Sequence, residues 1–241
     1  MPRERLDCTA QGATENMGLY TGRGTRMLEV WGRKNSYNVQ KVLWCCEELG
    51  IPYQRHDAGG KYGVTDQEEY LARNPTGLVP TIVDGDFSLY ESNTIVRYLS
   101  ARYGAGILWP EDPAERALAD KWMDYQLGTL FPAFREALIG LVRTAPENRD
   151  PEKIAAAVRA TAGLIPILDT HLEDNEYVAG SSLTMGDVAL GSLVYRWFEL
   201  DIDRPDLPAL RAWYERLTER PTYQKTVMVS FAMEDPPGAG G

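Results

Sequence analysis

The chain has 241 residues, 44% of them hydrophobic, and a formal net charge of −10. That composition can fill one large core or two smaller ones, while the acidic balance argues against a general nucleic-acid-binding surface. No apolar run approaches the ~20 residues of a membrane span, and three cysteines (Cys8, Cys45 and Cys46) make no disulfide framework, so the expected compartment is a reducing cytoplasm.

Residues 1–26 are polar and rich in Gly, Thr and Arg, with no apolar periodicity. They lack the apolar core of a signal peptide, and Glu4, Asp7 and Glu15 count against a transit peptide. A flexible extension is expected there. Residues 27–31 alternate and read as a strand. Residues 38–49 read as a helix, with Val39, Val42, Leu43, Cys46 and Leu49 on one stripe and Gly50 at its C-terminal stop. Residues 51–56 read as a second strand, 59–64 as a loop and 66–73 as a short helix. Two strands follow, hinged at Asp84-Gly85, a strong hairpin signal. Pro80 cannot donate to a ladder and belongs at a strand start. A helix opens at Glu91-Ser92. The order β-α-β-α-β-β-α over 27–104 predicts a four-stranded mixed sheet with a right-handed crossover.

Pro110 and Pro113 mark 105–114 as a linker. Residues 115–228 read as all-helical, beginning with one long helix to about Arg143. Asp150 caps the next helix, with Pro151 in its first turn, and Pro166 should kink it. Thr184-Met185-Gly186-Asp187 reads as a capping box with Asp in place of Glu, a stabilising device without chemistry. Helices over 208–218 and 221–227 complete the set, and 229–241 reads as a loose tail.

The segment Asn74-Pro75-Thr76-Gly77-Leu78-Val79-Pro80, followed by Glu91-Ser92, carries the most information. A tight turn runs into a Val-Pro bond able to be cis. A hydroxyl, a carboxylate and free helix N–H groups then meet at one helix start, which attracts anions. Together they can hold both ends of a small zwitterionic peptide. This combination resembles the glutathione transferases over roughly residues 27–228. The resemblance implies an α/β plus all-α fold: a thioredoxin-like N-terminal domain, then a C-terminal helical bundle.

In that fold the reactive group lies in the loop after strand one, here Gly32-Arg33-Lys34-Asn35-Ser36-Tyr37-Asn38. It holds no cysteine. Ser36 stands where redox relatives carry their nucleophile, and Asn38 lies in the first helical turn, as in bacterial transferases with a Ser-x-Asn loop. The resemblance makes both candidate catalytic residues that contact the glutathione sulfur. A free thiol has a pKa near ~8.5, and donors aimed at sulfur favour the thiolate. The plainer alternative is that Ser36 or Asn38 only caps the helix. By the same resemblance Glu91 and Ser92 grip the γ-glutamyl end, and Val79, before Pro80, pairs with the cysteinyl backbone like an added strand. Lys61 is the candidate cation for the glycyl carboxylate, with Arg33 or Lys34 as substitutes.

An acceptor pocket is expected between the domains, from Trp122, Tyr125 and Thr129 on one helix face together with Arg135. Arg143 is a further candidate for an anionic acceptor. The alternative for the aromatics is ordinary core. Cys45-Cys46 is not Cys-x-x-Cys and reads as structural; His56 and His171 have no metal-ligand spacing. The leading expectation is a homodimeric, cytoplasmic transferase using glutathione as co-substrate without a cofactor, and adding it to small electrophiles. A glutathione-dependent disulfide or peroxide reductase and a non-catalytic binding module are the rivals. No nucleic acid or membrane partner is expected.

Overall fold

A computed structural model describes residues 27–230; the expected extension over 1–26 and most of the expected tail lie outside it. Strand β1 (Leu28–Trp31) buries Leu28 and Val30 and leaves Glu29 and Trp31 half-covered, the two-residue period of a strand with one core face. It pairs in parallel with β2 (Tyr53–His56) and antiparallel with β3 (Thr81–Asp84), which pairs antiparallel with β4 (Phe87–Tyr90). The sheet order is therefore β2-β1-β3-β4. Val30 sits opposite Ile82 in that register, and both are fully buried.

Helix α1 (Tyr37–Glu48) makes the crossover from β1 to β2, α2 (Glu68–Leu71) is a single turn, and α3 (Ser92–Tyr103) follows β4. In α1 every residue from Val39 to Cys46 is buried. One face meets α3 and another meets α8 (Met185–Glu199), so the helix is enclosed between the sheet layer and the helical half.

The helical half begins at α4 (Pro113–Tyr125), two residues before the expected start. Asp112 accepts hydrogen bonds from the backbone N–H of Ala114 and Glu115, and Pro113 suits the first helical position. The expected long helix is present as continuous helical backbone to Arg143, though not as one regular α-helix. Two π-helical turns, Gln126–Leu130 and Ile139–Arg143, interrupt it on either side of α5 (Phe131–Leu138). Helices α6 (Pro151–Leu164) and α7 (Pro166–Glu173) are divided at Pro166 rather than merely kinked, because proline clashes with the preceding turn. Helices α9 (Pro208–Thr218) and α10 (Pro221–Thr226) complete the described helices.

The capping box is closed in both directions. Buried Asp187 accepts from the Thr184 N–H and hydroxyl, and also from the Val178 N–H and the Trp213 indole. One carboxylate thus ties the start of α8 to α9 and to the chain before it.

A second carboxylate joins the two halves. Glu48, at the end of α1, accepts from Trp44 Nε1 at 2.8 Å, from Arg220 Nε at 2.8 Å and Nη2 at 2.6 Å, and from the Thr222 hydroxyl. Burial alone would raise the Glu48 pKa, but these bonds outweigh it and hold the carboxyl below its ordinary value. A carboxylate depressed in the folded state stabilises above its unfolded pKa, ~4.3 for Glu, and that stability is lost as pH falls through the folded value. Urea unfolding of the parent should therefore lose free energy more steeply below pH ~4.3 than unfolding of Glu48→Gln. Parallel pH profiles for the two proteins would show that Glu48 contributes no such linkage.

Candidate active site

The turn before β3 is built by hydrogen bonds from buried side chains. Asn74 Nδ2 donates to the Leu78 carbonyl at 2.8 Å and to Thr81 Oγ1 at 2.9 Å. Its Oδ1 accepts from the Thr76 N–H at 3.1 Å, and the Tyr70 hydroxyl donates to the same Leu78 carbonyl at 2.5 Å. The Val79–Pro80 bond is cis. Among the described residues, neither the N–H nor the C=O of Val79 has a backbone partner, so an extended peptide can pair there. The loop after β1 is pressed against this turn. A Cβ on Gly32 would lie 2.4 Å from Val39 Cγ2 and 3.3 Å from Val79 Cβ, an approach that only glycine permits.

That loop delivers Ser36 and Asn38. Ser36 is buried and occupies the N-cap position of α1, yet its hydroxyl makes no capping bond. Asn38 is partly exposed, and its Oδ1 accepts from Ser92 Oγ at 3.1 Å. The starts of α1 and α3 therefore face each other. Glu91, exposed at the N-cap of α3, has φ 70° and ψ 107°. A non-glycine residue in this region stores about 1–3 kcal/mol, and such residues cluster at ligand clamps.

Beneath Ser92 lies Lys41, a residue not singled out in the sequence. It is fully buried. Its Nζ donates to Asn93 Oδ1 and Gln126 Oε1, each at 3.0 Å, and to Ser92 Oγ at 3.4 Å. It also lies 4.9 Å from the centre of the Tyr37 ring. Burial pushes the Lys41 pKa down to about 7; Glu91 acts to raise it and Arg196 to lower it.

Between the two halves, beside the loop, opens a cavity of about 90 Å³. Tyr37, Phe131 and Leu138 supply its apolar lining, and Arg33, Arg135 and Arg143 are among its cations. The Tyr37 and Phe131 rings lie 4.9 Å apart. Burial, then the neighbouring Arg143, lowers the Arg33 pKa, and burial brings buried Arg196 on the same wall down to about 10. Burial also raises the Tyr37 hydroxyl pKa, so Tyr37 offers a protonated hydroxyl and not a base.

Of the four residues expected to form the acceptor pocket, Arg135 alone lines this cavity. Trp122 and Tyr125 do not line it. Trp122 is 5% exposed and packs 4.8 Å from His171 and 5.5 Å from Tyr125, whose hydroxyl donates to the Leu164 carbonyl at 3.0 Å. The pair belongs to the packing of α4 on α6 and α7, the ordinary fate of aromatics on a helix stripe. Thr129 lies in the first π-helical turn and is not among the residues lining the cavity. Lys61 sits in a short turn at Gly60–Tyr62, its Nζ 5.1 Å from the centre of the Tyr62 ring. Arg33 covers Gly59, where an added Cβ would stand 3.3 Å from its Nη1; it therefore reaches both this turn and the cavity. Cys45 and Cys46 are free and fully buried. Burial pushes the Cys45 thiol up to about 12 and that of Cys46 well above its ordinary value, so neither supplies a thiolate at neutral pH.

Comparison with known proteins covers both halves. Residues 32–107 match the family described as "Glutathione S-transferase, N-terminal domain", and residues 118–221 match "Glutathione S-transferase, C-terminal domain". The chain is 44% identical over 205 residues to the glutathione S-transferase GstB of Escherichia coli K12, covering 84% of this chain and 99% of that one. It is 29% identical to glutathione S-transferase 3 of Zea mays, with 88% and 98% covered. Among solved structures, the theta class glutathione S-transferase of Xanthomonas axonopodis pv. citri with glutathione bound superposes at a TM-score of 0.83. It shares 47% identity, with 85% of this chain and 99% of that one covered.

Proposed function

The chain belongs to the glutathione S-transferase family, and on that footing we propose that it binds glutathione across the starts of α1 and α3 and activates its sulfur. The observation that carries the reading is the meeting of Asn38, Glu91 and Ser92 at two helix N-termini, opposite the unpaired backbone of Val79. Ser92, with its hydroxyl and first-turn N–H, and Glu91 take the γ-glutamyl carboxylate and ammonium. The cysteinyl segment pairs with Val79. Arg33 or Lys61 meets the glycyl carboxylate. The sulfur then lies at Ser36 and Asn38.

The chemistry needs no protein base. The thiol proton leaves to solvent. The thiolate forms a C–S bond at the electrophilic carbon as the leaving group, a halide for example, departs with its bonding electrons. Two donors to a charged acceptor, at ~1.5–3 kcal/mol each, suffice to lower the thiol pKa by about two, since one pH unit corresponds to ~1.36 kcal/mol. Of the two loop residues, Asn38 is the stronger candidate. Its oxygen is engaged by Ser92 and its amide also bonds the Tyr37 hydroxyl, which leaves one amide N–H for sulfur. The free thiols of Cys45 and Cys46 accord with a reducing cytoplasm.

The arginine-rich cavity deepens the reading. An electrophile with an anionic group beside its reactive carbon fits a wall carrying Arg33, Arg135 and Arg143.

Four measurements test these proposals. Calorimetry should show Ser92→Ala binding glutathione about 10- to 100-fold more weakly, and thiolate absorbance should show Asn38→Ala raising the bound-thiol pKa by about one pH unit or more. If both behave as the parent, the site lies elsewhere. Arg143→Ala should raise KM for a halogenated carboxylate about tenfold while leaving the corresponding amide nearly unchanged; equal effects on both would remove the anion preference. Finally, we propose a homodimer, as the family suggests. Sedimentation should give a species of twice the 27.0 kDa chain; a monomer at all working concentrations would refute it.

A further inference from the structure

Lys41 has no place in the mechanism above, yet it is a fully buried lysine one hydrogen bond behind Ser92. Its three oxygen partners, Asn93 Oδ1, Gln126 Oε1 and Ser92 Oγ, all belong to neutral side chains. An ammonium carries three donors and no acceptor, and each donor finds an oxygen here. Among the described residues no carboxylate pairs with it, although buried charges are ordinarily paired.

The cluster is nonetheless oriented toward a cation. The Met123 carbonyl can only accept, so Asn93 turns its nitrogen there, at 3.0 Å, and its oxygen to Lys41. Gln126 also turns its oxygen to Lys41, which leaves its own buried Nε2 without a partner. The fold thus surrounds the ammonium with dipoles and supplies no anion to neutralise it.

The unpaired charge lies beside the place where the proposed function puts an anion. Buried Ser92 accepts from Lys41 at 3.4 Å, and the Ser92 hydroxyl meets the γ-glutamyl carboxylate. A hydrogen bond of ~2.7 Å from that hydroxyl sets the carboxylate at most about 6 Å from Lys41 Nζ, with a buried side chain rather than water between them. At that separation opposite charges still attract strongly in a protein interior.

We propose that Lys41 is a specificity-determining residue: its buried ammonium is the counter-charge of the γ-glutamyl carboxylate, held behind Ser92, so that the site selects peptides in which this carboxylate is free. The inference rests on the glutathione site proposed above. The ion pair is completed only in the complex. A resident carboxylate beside Lys41 would cancel the attraction; three neutral oxygens solvate the charge and leave its field directed at the ligand.

The charge state of Lys41 accords with this. Burial is the largest influence and brings its pKa down to about 7; Glu91, exposed at the start of α3, acts to raise it and Arg196 of α8 to lower it. From α1 the Tyr37 ring faces it, and Gln126 at the end of α4 is neutral. A carboxylate bound at Ser92 acts in the same direction as Glu91 and favours the ammonium.

The test pairs two ligands that differ in one group: S-methylglutathione, and the same peptide with the γ-glutamyl α-carboxylate converted to its amide. The S-methyl group removes thiol ionisation from the reading. In calorimetry on the full chain at pH ~6, where Lys41 is charged, Lys41→Met should bind the carboxylate peptide about tenfold more weakly and the amide peptide nearly as the parent does. Equal losses for both peptides, the mark of a merely structural role, or no loss for either, would overturn the inference. If Lys41→Met does not fold, the parent decides through ¹³C NMR of its lysine Cε groups against pH. Lys41 is the one fully buried lysine of six. Binding the carboxylate peptide should move its titration up by about one pH unit relative to the amide complex; the same titration in both complexes overturns the inference. A parent that binds neither peptide overturns instead the function proposed above.

Discussion

A charge taken out of water must be compensated, and this structure does so at the junction of its two halves. The effective penalty for a buried ion is several kcal/mol. Lys41 meets it with acceptors from the start of α3 and from the end of α4. Those two places can serve only if α1, α3 and α4 converge to within hydrogen-bond reach, so the ammonium specifies how the sheet layer docks on the helices. Gln40, its neighbour in α1, receives a bond from Arg196 of α8, which also reaches the Asn35 carbonyl in the reactive loop. Gln40 thus fastens that loop, donating also to the Lys34 carbonyl, while the adjacent Lys41 ties the same helix to α3 and to Gln126.

Much of this arrangement was legible in the sequence, and for identifiable reasons. The turn over 74–80 could be read because Asn, Gly and Pro each impose a distinct local geometry, and the structure shows Asn74 holding that turn. The β-hairpin followed from Asp84-Gly85 between short apolar runs. The capping box followed from the spacing of Thr184 and Asp187. Ser36, Asn38 and Ser92 stood out through resemblance and capping chemistry, and the structure brings the last two into contact. Where Val79, Pro80 and Glu91 stand relative to them could not be read from spacing, because it depends on long-range pairing of β1 with β3.

What was missed has physical causes too. Lys41 between two apolar positions reads as a surface cation when only one stripe is followed. The wider signal was that residues 39–46 include six apolar or thiol-bearing side chains spread around the whole helix circumference; such a helix is buried on all sides, and a lysine in it must be buried with it. An aromatic stripe does not say which neighbour it faces, and the structure packs Trp122 and Tyr125 against α7 and α6. The π-helical turns left no trace, since one extra residue per turn looks like ordinary variation in a helical pattern.

Those turns have a consequence for how the family can change. Gln126, which anchors Lys41, begins the first π-helical turn, and Phe131 of the cavity lies just beyond its end. A π-helical turn accommodates one extra residue, so loss of a single residue between them restores α-helical hydrogen bonding while the turns on either side keep their phase. Gln126 would keep its bond to Lys41, and Phe131 and Arg135 would keep facing the cavity. A one-codon deletion at this turn is therefore a change the helix absorbs, whereas the same deletion within α4, which has no extra residue to give up, would turn the two sides of the break about 100° against each other.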